Sequence, residues 1–294
     1  MAILSVPEAF AKFKHRLELT DTERTDASNR HRTIRDLLAA KMDVTSDFLT
    51  GSYGRDTKTK PLHDVDVFVT FGDVTKADDP NSVLKRVRVV LAERYGEDRV
   101  TVDRPAVRVD FGAENAGLDD RVMSVEVVPA ISENGHYLIG DPTRTGWMAT
   151  DPSVHATLAT DANKAFDGHW KPMIKMLKKW NDQNGEPVEP SFLIEVMGLK
   201  LIRGPWTSGY PYELRAYFAS AADRIGDEWS DPAGLGSPIS EAMTANSLLM
   251  DQARAALRDA ETRCGEAIRH DRDGRTGAAL DVWQGLFGPL FAKS

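Results

Sequence analysis

The sequence predicts an α+β fold of two lobes, a mixed sheet flanked by helices over residues 1–162 and a helical lobe over residues 163–294. Three observations carry that expectation. Apolar, β-branched runs alternate with helical patterns up to residue 131, strand patterns disappear from residue 163 onward, and the segment Ser240 to Ile268 is rich in alanine at helical spacing. With 294 residues and 41% hydrophobic content, the chain is long enough for two lobes with cores of their own.

Taken in order, residues 6–41 read as helical, with Phe10, Phe13 and Leu17 at one end, Ile34, Leu37 and Leu38 at the other, and polar residues from Thr20 to Arg32 between. Val44 to Leu49 is a short apolar strand. A turn at Gly51-Ser52 and a short helix lead to a second strand from Asp64 to Phe71. Asn81 to Arg94 reads as a helix through Val83, Leu84, Val87, Val90 and Leu91, and residues 100–111 and 122–131 read as strands of the same sheet. Beyond residue 163, Trp170, Met173, Ile174, Leu177 and Trp180 share one helical face while Lys171, Lys175 and Lys178 share another, expected to be solvated unless it meets phosphate. Gly204 to Pro211 and Asp227 to Pro238 are turn-rich loops, and Ser240 to Ile268 is a closely packed helix through Ala242, Ala245, Leu249, Ala253, Ala256 and Ala260.

Composition narrows the function. A net charge of −8 argues against a general nucleic-acid coat, which needs excess Lys and Arg to displace counterions from phosphate. The single Cys264 leaves neither a disulfide framework nor a cysteine zinc site, so direct DNA sensing through a zinc-bearing element is not expected. No run approaches the ~18 apolar residues of a membrane span. The start Met1 to Pro7 lacks the basic residues and length of a signal peptide, and a cytoplasmic protein without a membrane partner is expected.

The chemistry concentrates in Gly51-Ser52-Tyr53-Gly54-Arg55-Asp56-Thr57, followed by Asp64-Val65-Asp66. Alternation along a strand sends Asp64 and Asp66 to one side and Val65, Val67 and Val69 to the other. Two carboxylates held so close repel each other unless a cation lies between them, and oxygen ligands suit Mg2+ or Mn2+. Metal-dependent phosphoryl chemistry commonly recruits a third acid. Glu126, alone in the apolar run Met123 to Ala130, is the first candidate, because a buried charge needs a partner. Asp110 ranks second, since its alternation with Arg108 fits a solvent-facing or salt-bridged side equally well. Gly51 permits close approach of a phosphate, and Ser52 adds a hydroxyl to backbone N–H groups at a helix start. Gly-Ser alone fits a plain helix cap, and Asp-x-Asp alone is common on exposed strands. The order of turn, acid pair and a strand-borne acid about sixty residues on is far more specific.

These segments, with Pro105-Ala106-Val107 and Ser124 to Ala130, resemble the polymerase-β-type nucleotidyltransferases. Within that superfamily the chain is similar to the bacterial CD-NTases related to cyclic GMP-AMP synthase and oligoadenylate synthase. Trp147 with Thr150-Asp151-Pro152, the helix Lys175 to Asn181, Pro190 to Glu195 and the closing Trp283-x-x-Leu286-Phe287-Gly288-x-x-Phe291 extend the likeness over nearly the whole chain. The resemblance implies a two-lobed enzyme whose N-terminal helix spans both lobes, with the active site in the cleft between them. It implies two ions on Asp64, Asp66 and Glu126, and a donor triphosphate on Gly51 and Ser52, with Lys175 or Lys178 and Ser191 contacting its tail. Substrates would be ATP, GTP or pyrimidine triphosphates, the product a cyclic di- or oligonucleotide in anti-phage signalling (CBASS), and a regulatory protein a partner. Most relatives carry aspartate where this chain has Glu126. The alternatives are transfer of a nucleotide to RNA, protein or a small molecule, and a catalytically silent nucleotide-binding homologue. Tyr53 and Tyr137 are candidates for base stacking, and His63 reads as a loop residue.

Overall fold

The predicted helix over residues 6–41 forms as two, α1 (Val6–Leu17) and α2 (Asp21–Ala39). Glu18 turns extended (φ −71°, ψ 141°), and Thr20 then caps the second helix: its hydroxyl accepts from the Glu23 N–H while the Glu23 carboxylate accepts from the Thr20 N–H. The break is also a boundary. In the computed structural model, which describes residues 3–112, 121–142 and 144–293, one compact unit is Leu19–His155 and the other is Met1–Glu18 with Ala156–Ser294. α1 packs with the C-terminal helices, whereas the sequence reading had grouped residues 1–162 together as one core.

In the first unit α2 is followed by β1 (Val44–Leu49), the single turn α3 (Gly51–Gly54), β2 (Asp64–Phe71) and α4 (Pro80–Tyr95). Then come β3 (Val100–Asp103), β4 (Ala106–Asp110), β5 (Ser124–Glu133), β6 (His136–Gly140) and β7 (Trp147–Thr150). The expected strand over 100–111 is a hairpin, turned at Arg104-Pro105. The sheet is mixed, with order β1-β2-β5-β4-β3 and β6 and β7 continuing from β5; β2 and β5 are parallel and the other pairs antiparallel. Strand alternation divides its faces. Val65, Val67, Val69, Val107, Val109, Val125 and Val127 bury one face under Ala27, Ile34 and Leu38 of α2 and Val83, Leu84, Val87 and Leu91 of α4. The opposite face begins with Asp64, Asp66 and Glu126 and becomes apolar along the strands, where Phe68, Ala106, Val128, Ala130 and Ile139 cluster with Phe48, Tyr137 and Met148.

The second unit is helical, as predicted: α5 (Pro152–Ala165, beginning in the first unit), α6 (Trp170–Gln183), α7 (Phe192–Leu201), α8 (Tyr210–Arg224), α9 (Glu241–Thr244), α10 (Ser247–Arg272) and α11 (Thr276–Phe287). Phe10 of α1 meets Trp283, Phe287 and Phe291 with ring centroids 5.0, 6.3 and 5.1 Å away, so the closing aromatic motif seats the N-terminal helix. The alanine-rich segment is interrupted by Asn246, whose side chain accepts from the Leu248 and Leu249 N–H groups and starts α10. Leu249 is consequently exposed, while Ala253, Leu257, Ala260 and Cys264 are buried. Among the described residues no helix is long and apolar enough to cross a membrane.

Candidate active site

Parallel pairing of β2 with β5 sets Asp66 directly opposite Glu126 and Asp64 opposite Ser124. All three acids therefore lie on one face at one end of the sheet, although sixty residues separate the two strands in sequence. β4 adds Arg108 opposite Glu126, with Nη1 4.0 Å from Oε1. Asp110 lies one pleat further, opposite Ser124. Its carboxylate is turned to the Gly112 N–H at 2.7 Å, and its side chain is exposed. Burial foremost, then the charges of Asp66 and Asp64, push Glu126 up to about 7, against the opposing pull of Arg108.

The glycine turn is built against the acid pair. The Thr50 N–H donates to the Asp66 carbonyl at 2.9 Å, tying the start of α3 to β2. Gly51 has φ +60°, and a β-carbon there would stand 1.6 Å from Asp66 Oδ2, so any other residue would strain the backbone and push the Asp66 carboxylate aside. The segment after α3 folds back. The Thr57 and Lys58 N–H groups both donate to the Ser52 carbonyl, at 2.9 and 3.1 Å. From there the Lys58 side chain reaches Asp64, with Nζ 2.6 Å from Oδ1.

Two buried or half-buried carboxylates of α2 position the acidic strands. Glu23, fully buried, accepts from the Leu62 N–H at 2.8 Å just before β2. Asp26 accepts from the Val122 N–H at 2.9 Å just before β5, and also from Arg30 Nε. One helix thus fixes the entry of both strands. The sequence reading missed Lys58, Glu23 and Asp26. Glu23 carried one legible signal, its place three residues after Thr20 in a capping box.

The other predicted site residues lie in the helical unit. Lys175 is 2% exposed and donates to Glu18 Oε2 at 2.7 Å, and Lys178 pairs with Glu195, which is 2% exposed. The lysine face expected to be solvated is therefore buried at Lys175 and engaged with carboxylates at both positions. Ser191 is exposed and precedes α7 without a side-chain cap bond. Of the two stacking candidates, Tyr53 packs against the helix-covered face of the sheet, and Tyr137 packs beside Phe68 at 5.3 Å on the acidic face. His63 is an exposed loop residue, as expected, and its carbonyl accepts from Met123 and Ser124.

Among the described residues no three His, Cys, Asp or Glu side chains stand in the arrangement of a formed metal site. Asp64 is turned to Lys58 and Asp66 is folded over Gly51. The donor set nevertheless fits a hard divalent ion. It is all oxygen, it shares one face, and its crowding raises the proton affinity of Glu126, a repulsion that a cation relieves.

Residues 4–163, more than half of the chain, match the Second Messenger Oligonucleotide or Dinucleotide Synthetase (SMODS) domain. The chain belongs to the SMODS family. It is a nucleotidyltransferase of the cyclic nucleotide synthase class. A relative named cyclic AMP-AMP-AMP synthase, from Acinetobacter sp. (strain ATCC 27244 / 9458), is 25% identical, with 99% of this chain and 87% of that protein covered. The structure of E. coli MS115-1 CdnC with ATP superposes with a TM-score of 0.73 at 18% identity, covering 98% of this chain and 99% of that one. CdnC in complex with HORMA-deltaN gives 0.73 at 20% identity, covering 97% and 98%. The shared fold is the two-lobed polymerase-β-type architecture that the sequence predicted.

Proposed function

We propose that this SMODS protein condenses ribonucleoside triphosphates, ATP among them, into a cyclic di- or oligonucleotide, using Mg2+ or Mn2+ held by Asp64, Asp66 and Glu126. The observation that carries the reading is the parallel register that places Asp66 beside Glu126, with Gly51 in contact with Asp66. A divalent ion at these oxygens supplies a Lewis acid for the phosphoryl group and lowers the pKa of the attacking hydroxyl. Gly51 and Ser52 receive the donor phosphates, as the resemblance implies, with Ser52 offering a hydroxyl. Lys175, Lys178 and Ser191 keep the triphosphate-tail role that the resemblance implies. A 2′- or 3′-hydroxyl of the second nucleotide attacks the α-phosphorus, the bond to the β,γ-diphosphate breaks, and pyrophosphate leaves. Repetition of the step, with a last intramolecular one, closes the ring of a di- or oligonucleotide.

ATP heads the substrate choice because one relative is named for an all-adenosine product and CdnC was solved with ATP. The complex of CdnC with HORMA-deltaN supports a regulatory protein partner. Action in the cytoplasm follows from the triphosphate substrates, and a place in anti-phage signalling from the resemblance.

The test is incubation with each labelled ribonucleoside triphosphate in Mg2+ and in Mn2+, followed by phosphatase and separation of small products. A phosphatase-resistant product lost in Asp64→Ala supports the reading. Label on protein or RNA would favour transfer to a macromolecule, and triphosphate binding with no pyrophosphate release under either metal would favour a silent homologue.

A further inference from the structure

Lys58 joins the two halves of the site. Its backbone N–H is fixed to the Ser52 carbonyl in the phosphate turn, and its ammonium lies 2.6 Å from Asp64 Oδ1. The lysine side chain is 16% exposed and that of Asp64 39%, so the pair is partly exposed. This face carries Asp64, Asp66 and Glu126 on β2 and β5, with Asp103 close enough to raise Glu126 further and Arg108 close enough to lower it. A cation seated on Asp64 therefore lessens a repulsion that the fold builds in. The same seat is the one a metal ion needs.

We propose that Lys58 is a displaceable counter-cation. It holds Asp64 until a divalent ion takes that carboxylate, and the released ammonium then pairs with the phosphates received at the Ser52 turn. The inference rests on the metal role proposed for Asp64. The backbone anchor at Ser52 stays in place, and only the side chain swings from carboxylate to phosphate. Ion entry then delivers one positive charge to the triphosphate site, so that ion and nucleotide binding reinforce each other.

The two halves predict opposite signs for one substitution, which a merely structural lysine would not produce. Mn2+ binding without nucleotide, followed by the paramagnetic resonance of free Mn2+, is measured for wild type, Lys58→Met, Lys58→Arg and Asp64→Ala. Lys58→Met, which removes the competitor, is expected to bind Mn2+ about fivefold more tightly, the factor that matches loss of a partly exposed ion pair. Lys58→Arg keeps the charge and should stay near wild type. With Mg2+ present, a non-hydrolysable ATP analogue is expected to bind Lys58→Met more weakly, measured by calorimetry. Unchanged or weaker Mn2+ binding by Lys58→Met overturns the competition, and unchanged analogue affinity overturns the transfer of charge to phosphate. If Asp64→Ala binds Mn2+ as wild type does, the metal role of Asp64 itself falls, and the proposal with it. Thermal unfolding of each variant separates these outcomes from misfolding.

Discussion

Gly51 lies directly against Asp66: a β-carbon at residue 51 would stand 1.6 Å from Asp66 Oδ2. The contact makes the glycine part of the carboxylate's seat as well as part of the phosphate turn. Gly51→Ala meets two penalties. A left-handed φ of +60° disfavours alanine by about 1–2 kcal/mol. The methyl also forces Asp66 out of its rotamer, and a displacement of an ångström at a reacting centre lowers rates by ~100-fold. The expected variant is folded, slightly less stable and nearly inactive, as read by thermal unfolding and pyrophosphate release. Retained activity would show that Asp66 is not needed in this position.

The raised proton affinity of Glu126 gives a pH signature in metal-free protein. Its folded value is about 7 against an ordinary 4.5, because burial and the Asp66 and Asp64 charges disfavour its ionised form. The folded state therefore binds this proton more tightly than the unfolded chain does. The resulting stabilisation is complete below pH 4.5 and is lost as pH rises towards 7. Glu126→Gln carries no such charge, so its stability relative to wild type should increase across that interval and level off above it. Urea unfolding of both proteins in chelator at several pH values measures the difference, and a pH-independent difference would show that the glutamate titrates normally.

How far this was legible depends on the distance over which each residue acts. Asp64-Val65-Asp66-Val67 declares a strand with one polar face by alternation alone, and Gly51-Ser52 declares a turn. Glu126 is legible as a lone acid in an apolar strand, but nothing local says that this strand lies next to β2. The hairpin of β5 and β6 carries a local signal: Asn134-Gly135, with φ of 46° and 86°, is a two-residue turn joining Glu133 to His136. Glu23 shows only its capping box and Asp26 nothing of its role, because their strand-side partners are 39 and 96 residues away. The lysines of α6 misled for the same reason. Helical periodicity assigns a face, but Glu18 of a distant segment decides that Lys175 is buried.

Glu23 is a positioning residue with a measurable stability contribution. One oxygen of this fully buried side chain accepts from the Leu62 N–H at 2.8 Å and the other from the half-buried Thr20 N–H at 2.7 Å. Glu23→Ala leaves the buried Leu62 N–H and the half-buried Thr20 N–H unmatched, the loss of a buried partner being worth about 1–3 kcal/mol. The variant should lose about 3 kcal/mol of stability in urea unfolding and, at a temperature where it is folded, bind Mn2+ more weakly, because the loop ahead of Asp64 loses its anchor. Glu23→Gln keeps one acceptor and should fall between the two. A variant as stable as wild type would mean that the loop is held by other contacts.

The two candidate triphosphate lysines differ in what they leave behind when removed. Lys178 pairs with Glu195, whose side chain is 2% exposed, whereas Lys175 pairs with Glu18, which is 34% exposed. Removing one member of a buried ion pair destabilises by about 3–5 kcal/mol, because the remaining charge is already desolvated. A carboxylate that water can reach loses little, about 1 kcal/mol or less. Lys178→Met is therefore expected to lower the urea midpoint strongly and Lys175→Met only slightly. Lys178→Met combined with Glu195→Leu removes the stranded charge and should recover much of the loss, which makes nucleotide affinity measurable in a folded background. If that double variant binds ATP as wild type does, Lys178 serves the helical core alone, and Lys175 becomes the residue to test for the phosphate role.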